Sequence, residues 1–306
     1  MQLALITVQQ VFSLFLLIAA GYIAAKTGAL KPQAKQAFSD LLVNLVLPAM
    51  IINTYLSGYD PNTFANLLVA FGLSLLLLGG GMLLAMGLGL AVKGGNRPLV
   101  QFAGTFPNAA YMGFPLISAL FGAEGLLYAS AFATVFNVLQ WTAGVALLEP
   151  QRSRREMLRG ILANPVIWSV VIGLVIYLGR VPVPAILAQP IAAMGSMTTP
   201  LSMVITGIIM AGSDLRQMVG NRQVWYVVAM RLLLIPFIWF GVLRLLGLQG
   251  MVVQVILLLE ASPVAAVTTV MAVRCKLDEK LAAGAVVMST LLSICTLPLW
   301  AVAIPL

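Results

Sequence analysis

The sequence has no histidine and only two cysteines, Cys275 and Cys295. Without histidine, the commonest general base, metal ligand and proton relay near neutral pH is missing. The two cysteines give neither a metal-binding spacing nor a disulfide framework. Charge is the next shortage. Asp, Glu, Lys and Arg make up 8% of the 306 residues, against roughly 25% in a soluble domain. So few charges cannot cover a surface that faces water, and lipid is the expected solvent. An intramembrane enzyme is also disfavoured. Glu260 is the only acidic residue deep in an apolar run, so neither a paired-aspartate site nor a zinc site can be assembled. No cofactor and no metal site is expected.

What the chain does have is apolar sequence, 61% of its residues. Apolar runs near the ~20 residues needed to cross a bilayer recur along it. Ten candidate spans lie near 8–25, 38–56, 63–92, 99–121, 124–148, 160–179, 185–211, 223–246, 251–273 and 280–304. The first run has no basic residue before it and no evident cleavage site, so it is read as a retained span. The third is long enough to tilt, or to break near Gly79-Gly80-Gly81.

Basic residues divide unevenly between the two sides. Of 17, one set of alternate loops holds fourteen: Lys26, Lys31, Lys35, Lys93, Arg97, Arg152, Arg154, Arg155, Arg159, Arg216, Arg222, Arg274, Lys276 and Lys280. The other set holds Arg180 and Arg244, and Arg231 falls inside span eight. The positive-inside rule then puts both termini outside the cytoplasm. Topology accounts for the net charge of +8, so no nucleic-acid partner is expected. The densest basic cluster, Arg152 to Arg159, sits where it can also meet anionic lipid headgroups.

The chain repeats weakly at an offset of 152 residues, Pro48 through Thr54 lying against Pro200 through Thr206. Five spans per half force the second copy into inverted topology, a layout common in secondary transporters. The expected architecture is an all-α membrane protein with a first repeat at 1–148, a short basic cytoplasmic linker at 149–160 and a second repeat at 161–306. The offset pairs span four with span nine, and both are interrupted. Span four carries Pro107-Asn108-Ala109-Ala110-Tyr111-Met112-Gly113-Phe114-Pro115, and span nine carries Glu260-Ala261-Ser262-Pro263. Proline removes a backbone donor and clashes with the preceding turn, so each helix is expected to break. At 1.5 Å per residue Asn108 lies roughly 14 Å deep and Ser262 roughly 17 Å deep from the opposite side. Both breaks thus fall near the middle of a core roughly 30 Å thick. Unwound backbone there must line a cavity or find protein partners.

The stretch Pro107 to Gly122 resembles the fourth span of auxin efflux carriers, with Pro-Asn, then Met-Gly-x-Pro-Leu, then an aromatic residue and glycine. Asn164-Pro165, Pro263 and Leu297-Pro298 extend the resemblance almost end to end. It implies a bacterial-type relative of the plant carriers, within the bile-acid, arsenite and riboflavin transporter superfamily. The implied fold is the crossover fold shared with bile-acid symporters and sodium/proton antiporters. In it, broken spans four and nine cross within a transport domain of spans 3–5 and 8–10, beside a scaffold of spans 1, 2, 6 and 7 that often dimerises. The implied substrates are organic anions: auxin in plants, malate or malonate in bacterial relatives. The family's substrate-binding asparagine falls on Asn108 and its crossover prolines on Pro115 and Pro263. The sequence departs from the plant carriers at two points. Their long loop between spans five and six is here about a dozen residues, which argues against control by loop phosphorylation, and span three has no ionisable residue before Lys93, which argues against auxin itself.

The expected function is secondary active transport of a small carboxylate across the cytoplasmic (inner) membrane by alternating access, elevator-type, in a homodimer. Alternatives are a membrane sensor retaining such a site, a channel, or a sodium-coupled bile-acid-type symporter. Broken helices leave N–H groups bare at the start of their second halves, and these attract anions. Asn108 adds two amide donors. Tyr111, Gly113, Pro115, Ser262, Pro263 and Thr268 are the further candidate lining residues, with Thr269 behind them. Glu260 stays open between three readings: carrier of a coupling proton, ligand of sodium beside free carbonyls, or partner of Arg231 at a similar depth. Asn44, Asn53, Asn137, Gln140 and Ser202 are read chiefly as interhelical bonds.

Overall fold

The computed structural model describes residues 2–31, 34–56, 61–92, 94–149, 151, 153–212 and 218–304. Lys93, Arg152 and Arg216, three of the basic loop residues, lie outside these. The protein is helical over 83% of its length, and no strand occurs among the described residues. The elements are α1 (Gln2–Lys26), α2 (Ala34–Tyr55), α3 (Pro61–Gly89) and α4 (Arg97–Thr105), followed by a helical stretch Ala109–Leu148. Then come α7 (Arg154–Leu162), α8 (Pro165–Leu178), α9 (Ala185–Ala211), α10 (Arg222–Leu245), α11 (Met251–Glu260), α12 (Val267–Arg274) and α13 (Glu279–Ala303). Six of these stretches are long and apolar enough to cross a membrane, and Phe12–Lys26, Pro165–Leu178 and Met251–Glu260 are shorter apolar helices.

The stretch Ala109–Leu148 is 40 residues long but is not one helix. Gly122 has φ 61° and ψ −147°, a conformation that a Cβ would oppose. The chain folds back so tightly there that a Cβ on Gly125 would lie 2.3 Å from Phe121 Cβ. Gly122 therefore divides the stretch into α5 (109–121) and α6 (123–148).

Three prolines inside helices do not break them. Leu47, Phe114 and Ile235 each precede a proline, namely Pro48, Pro115 and Pro236. Each donates its N–H to the carbonyl five residues back, on Leu42, Ala109 and Met230. A proline ring clashes with the carbonyl four residues before it, and one widened turn relieves that clash while keeping the helix. Pro115, expected near the start of the second half of span four, thus lies inside α5, which begins six residues upstream at Ala109. Asn164 opens α8 as its cap, accepting the Val166 N–H at 2.9 Å, with Pro165 in the first turn where no donor is lost.

Glycines set the closest helix contacts. α1 crosses the second half of α9 so closely that a Cβ on Gly207 would lie 2.1 Å from the Ile18 carbonyl oxygen. α2 packs on α8 through Gly173 against the Tyr55 ring, and on the first half of α9 through Gly195 against the Met50 backbone. α3 lies against α4 and α11 and runs unbroken through Gly79–Gly81. Its glycines form a recess: a Cβ on Gly80 would strike the Trp239 ring at 2.4 Å, and one on Gly81 would meet Glu260 Oε1 at 2.9 Å.

Gly207→Ala is expected to lower the thermal melting point in detergent, because backbone faces the new methyl and cannot move aside. Overpacking of this kind costs about 1–3 kcal/mol. Gly72→Ala in α3 meets open space and should hold or raise the melting point, since alanine gains up to about 1 kcal/mol over glycine in a helix.

Candidate functional site

Two helices stop short and their loose ends meet. α4 ends at Thr105, Phe106 is extended (φ −98°, ψ 110°), and α5 starts after Asn108. α11 ends at Glu260 and α12 starts at Val267. Between them, Pro107 and Val264 pair antiparallel. The Asn108 N–H donates to the Pro263 carbonyl at 2.7 Å, and the Ala265 N–H to the Phe106 carbonyl at 2.9 Å. The Val264 N–H donates to Ser289 Oγ on α13 at 3.0 Å. Each unwound segment is thus the partner that satisfies the other's backbone.

The four helix ends at this crossing are treated differently. The C-terminal ends are closed by Arg231, which the widened turn Met230–Leu234 carries inward on α10. Its Nη1 donates to the Gly104 and Thr105 carbonyls at 2.9 and 3.2 Å, and its Nε to the Ser262 carbonyl at 3.1 Å. Gly104 allows this approach, since a Cβ there would lie 2.1 Å from Met230 Cε. Nη1 also reaches Glu260 Oε1 at 3.1 Å, and both side chains are fully buried. The N-terminal ends stay open. The N–H groups of Ala110 and Tyr111 at α5, and of Ala266 and Val267 at α12, find no acceptor among the described residues. All four of these residues are half-buried. Helix N-termini carry partial positive charge. With Arg231 matched by Glu260, the unopposed field at the crossing is that of these amides.

The proposed lining residues divide on inspection. Asn108 is 4% exposed, and its carboxamide hydrogen-bonds to no described residue. Its backbone carbonyl accepts from Met112 and Gly113, each at 3.1 Å. Thr268 is fully buried and its hydroxyl has no partner among the described residues. Ser262 bonds back to the Leu258 carbonyl and Thr269 to the Ala266 carbonyl, so both hydroxyls are engaged locally. Gly113 is a contact point: a Cβ there would lie 2.6 Å from Leu259 Cδ2 and 3.3 Å from Ser262 Oγ. Pro263 supplies the carbonyl that holds Asn108. Tyr111 is turned toward Ser39, with Asp40 nearby, and Pro115 sits inside α5. Asn108, Gly113, Ser262 and Pro263 are brought together. The Tyr111 phenol is turned away from the meeting point, to which that residue brings only its N–H. Asn137 bonds to Asn164 at 2.8 Å, tying α6 to α8.

A sequence profile of the membrane transport protein family, that of the auxin efflux carriers, matches residues 6–301. The chain belongs to this family. An uncharacterized transporter of Methanothermobacter thermautotrophicus is 25% identical over 298 residues, 96% of this chain and 97% of that protein. An uncharacterized transporter of Methanocaldococcus jannaschii is 23% identical over 312 residues, 97% and 98% of the two chains. The transporter is therefore a multi-pass membrane protein matched along nearly its whole length by others described as transporters.

Ser289, Gly104 and Trp239 are site residues that the sequence reading missed. A serine in an apolar span and a lone glycine are too common to stand out, and Trp239 gains its place only beside the Gly80–Gly81 recess. Ser289→Ala leaves the buried Val264 N–H without its acceptor and should cost about 1–3 kcal/mol, read as a lower melting point. Ser293→Ala, which loses only a bond to the Thr290 carbonyl in its own helix, should leave the melting point nearly unchanged.

Proposed function

We propose that this transporter carries a small organic anion, a carboxylate, bound at the open N-terminal ends of α5 and α12. The observation that carries the reading is the asymmetry of the crossing. A buried cation already closes the two carbonyl-bearing ends, while the amide-bearing ends and the Asn108 carboxamide keep unused donors. A carboxylate presents acceptor oxygens only, so it complements a site made of donors. No unmatched fixed cation is needed, and none would slow release.

Asn108 is 4% exposed, so carrying an anion from one side of the membrane to the other requires the surrounding elements to move. Alternating access by sliding of one group of helices along another meets that requirement. In this reading the ten spans form two inverted halves, 1–148 and 161–306. Spans 3–5 and 8–10 move as a unit against spans 1, 2, 6 and 7, through which the protein dimerises in the cytoplasmic membrane with its termini outside. The contact of α1 with α9 through Gly21 and Gly207, and of α2 with α8 through Gly173, supports a close-packed stationary group.

Proteoliposomes holding the purified protein should take up labelled malonate or malate saturably, with counterflow when preloaded. Asn108→Ala should weaken apparent affinity by about tenfold, the loss of two donors to a charged ligand. Uptake that never saturates, or an unchanged affinity in Asn108→Ala, would contradict the assignment.

A further inference from the structure

We infer that Arg231 is the positioning residue of this site: its guanidinium fixes where the open amides point by clamping the closed ends of both broken helices. The inference rests on the anion reading of the crossing but concerns a residue that does not touch the anion.

Four contacts define the clamp. Two go to carbonyls at the end of α4, one to the Ser262 carbonyl just past the end of α11, and one to Glu260. The ion pair is monodentate. Glu260 Oε2 and Arg231 Nη2 both lack a partner among the described residues. A pair built for its own strength would use both oxygens and two guanidinium nitrogens. Here the fork is turned to the carbonyls instead, and Glu260 serves as the counter-ion that lets a cation sit there at all. Replacing a buried pair with apolar groups often costs little stability, so strength alone gives no reason to keep one. Geometry does. A planar guanidinium spans acceptors on two helices at fixed angles, whereas a lysine ammonium, a compact point charge, does not.

The consequence for the site follows from covalent continuity. Gly104 and Thr105 stand three to four residues before Asn108, and Ser262 stands five before Val267. A shift at the clamped ends is carried through Phe106–Pro107 and Pro263–Ala266 to the amides that open α5 and α12. Gly81 completes the device from outside. Its missing Cβ leaves the space that Glu260 Oε1 occupies, next to the Trp239 indole nitrogen.

The test compares Arg231→Lys, which keeps the charge but not the fork, with Gly207→Ala, a destabilising change remote from the crossing. Hydrogen exchange followed by mass spectrometry reads the crossing without any substrate. Arg231→Lys should speed exchange of the Asn108 and Ala265 amides by about tenfold or more while leaving α1 unchanged. In proteoliposomes it should raise the KM for malonate by about fivefold or more with a smaller change in maximal rate. Gly207→Ala should lower the melting point and move neither readout. Should Arg231→Lys fail to fold, Gly81→Ala, whose methyl displaces the Glu260 carboxylate, should move both readouts in the same direction by a smaller factor. Wild-type exchange rates at the crossing in Arg231→Lys, or in Gly81→Ala where it stands in, would overturn the clamp. A wild-type protein that ignores malonate and other carboxylates would instead overturn the anion reading, and exchange alone would then decide the clamp.

Discussion

Backbone inside a bilayer has no water to bond to, and the whole arrangement follows from that. A helix satisfies its own peptide groups, so breaking two of them creates unpaired donors and acceptors where they are most costly. The protein meets the cost by bringing the two breaks together. Pro107 and Pro263, which end regular helix, stand in segments that bond to each other through Asn108, Pro263, Phe106 and Ala265. What remains unpaired is then a matter of choice by sequence. Carbonyls are closed by Arg231, and amides are left open.

The surrounding helices are shaped to serve this meeting point. Pro236 widens one turn of α10 and Arg231 lies in that turn. Gly104 lets α10 approach the end of α4, Gly81 leaves room for Glu260, and Ser289 reaches across from α13 to the Val264 N–H. None of these residues would bind an anion in the proposed reading. In that reading they hold steady a site whose donors, the Asn108 carboxamide apart, are backbone groups that no change of side chain replaces.

Much of this was legible in the sequence, and the rest failed for identifiable reasons. Scarce charge and recurrent apolar runs gave the helical membrane protein, and the Pro-Asn motif gave the family. The interruptions near Asn108 and Ser262 were visible as prolines amid polar residues. Pro115 was expected near the start of the second half-helix and lies six residues inside it, because proline within a helix has two outcomes, a break or a widened turn, and local sequence does not separate them. Pro48, Pro115 and Pro236 take the second. Depth along the helices made a pair between Glu260 and Arg231 feasible, but not the three carbonyls that Arg231 also holds. Those depend on how α4 and α11 lie against α10, which no single run of residues encodes. Gly79–Gly81 suggested a bend or a close contact, and only the positions of Trp239 and Glu260 identify it as a recess.

A transporter must hold its cargo and then let it go. In the proposed reading bare amides suit that task, since each offers a partial charge and a directed hydrogen bond without the grip of a buried cation. The most direct measurement is a density map of the protein with malonate bound. The account predicts a carboxylate within hydrogen-bond distance of the Asn108 carboxamide and the Ala110 or Val267 N–H, with Arg231 still on its carbonyls. Density lodged against Arg231 itself, or helices running unbroken through 106–108 and 261–266, would contradict it.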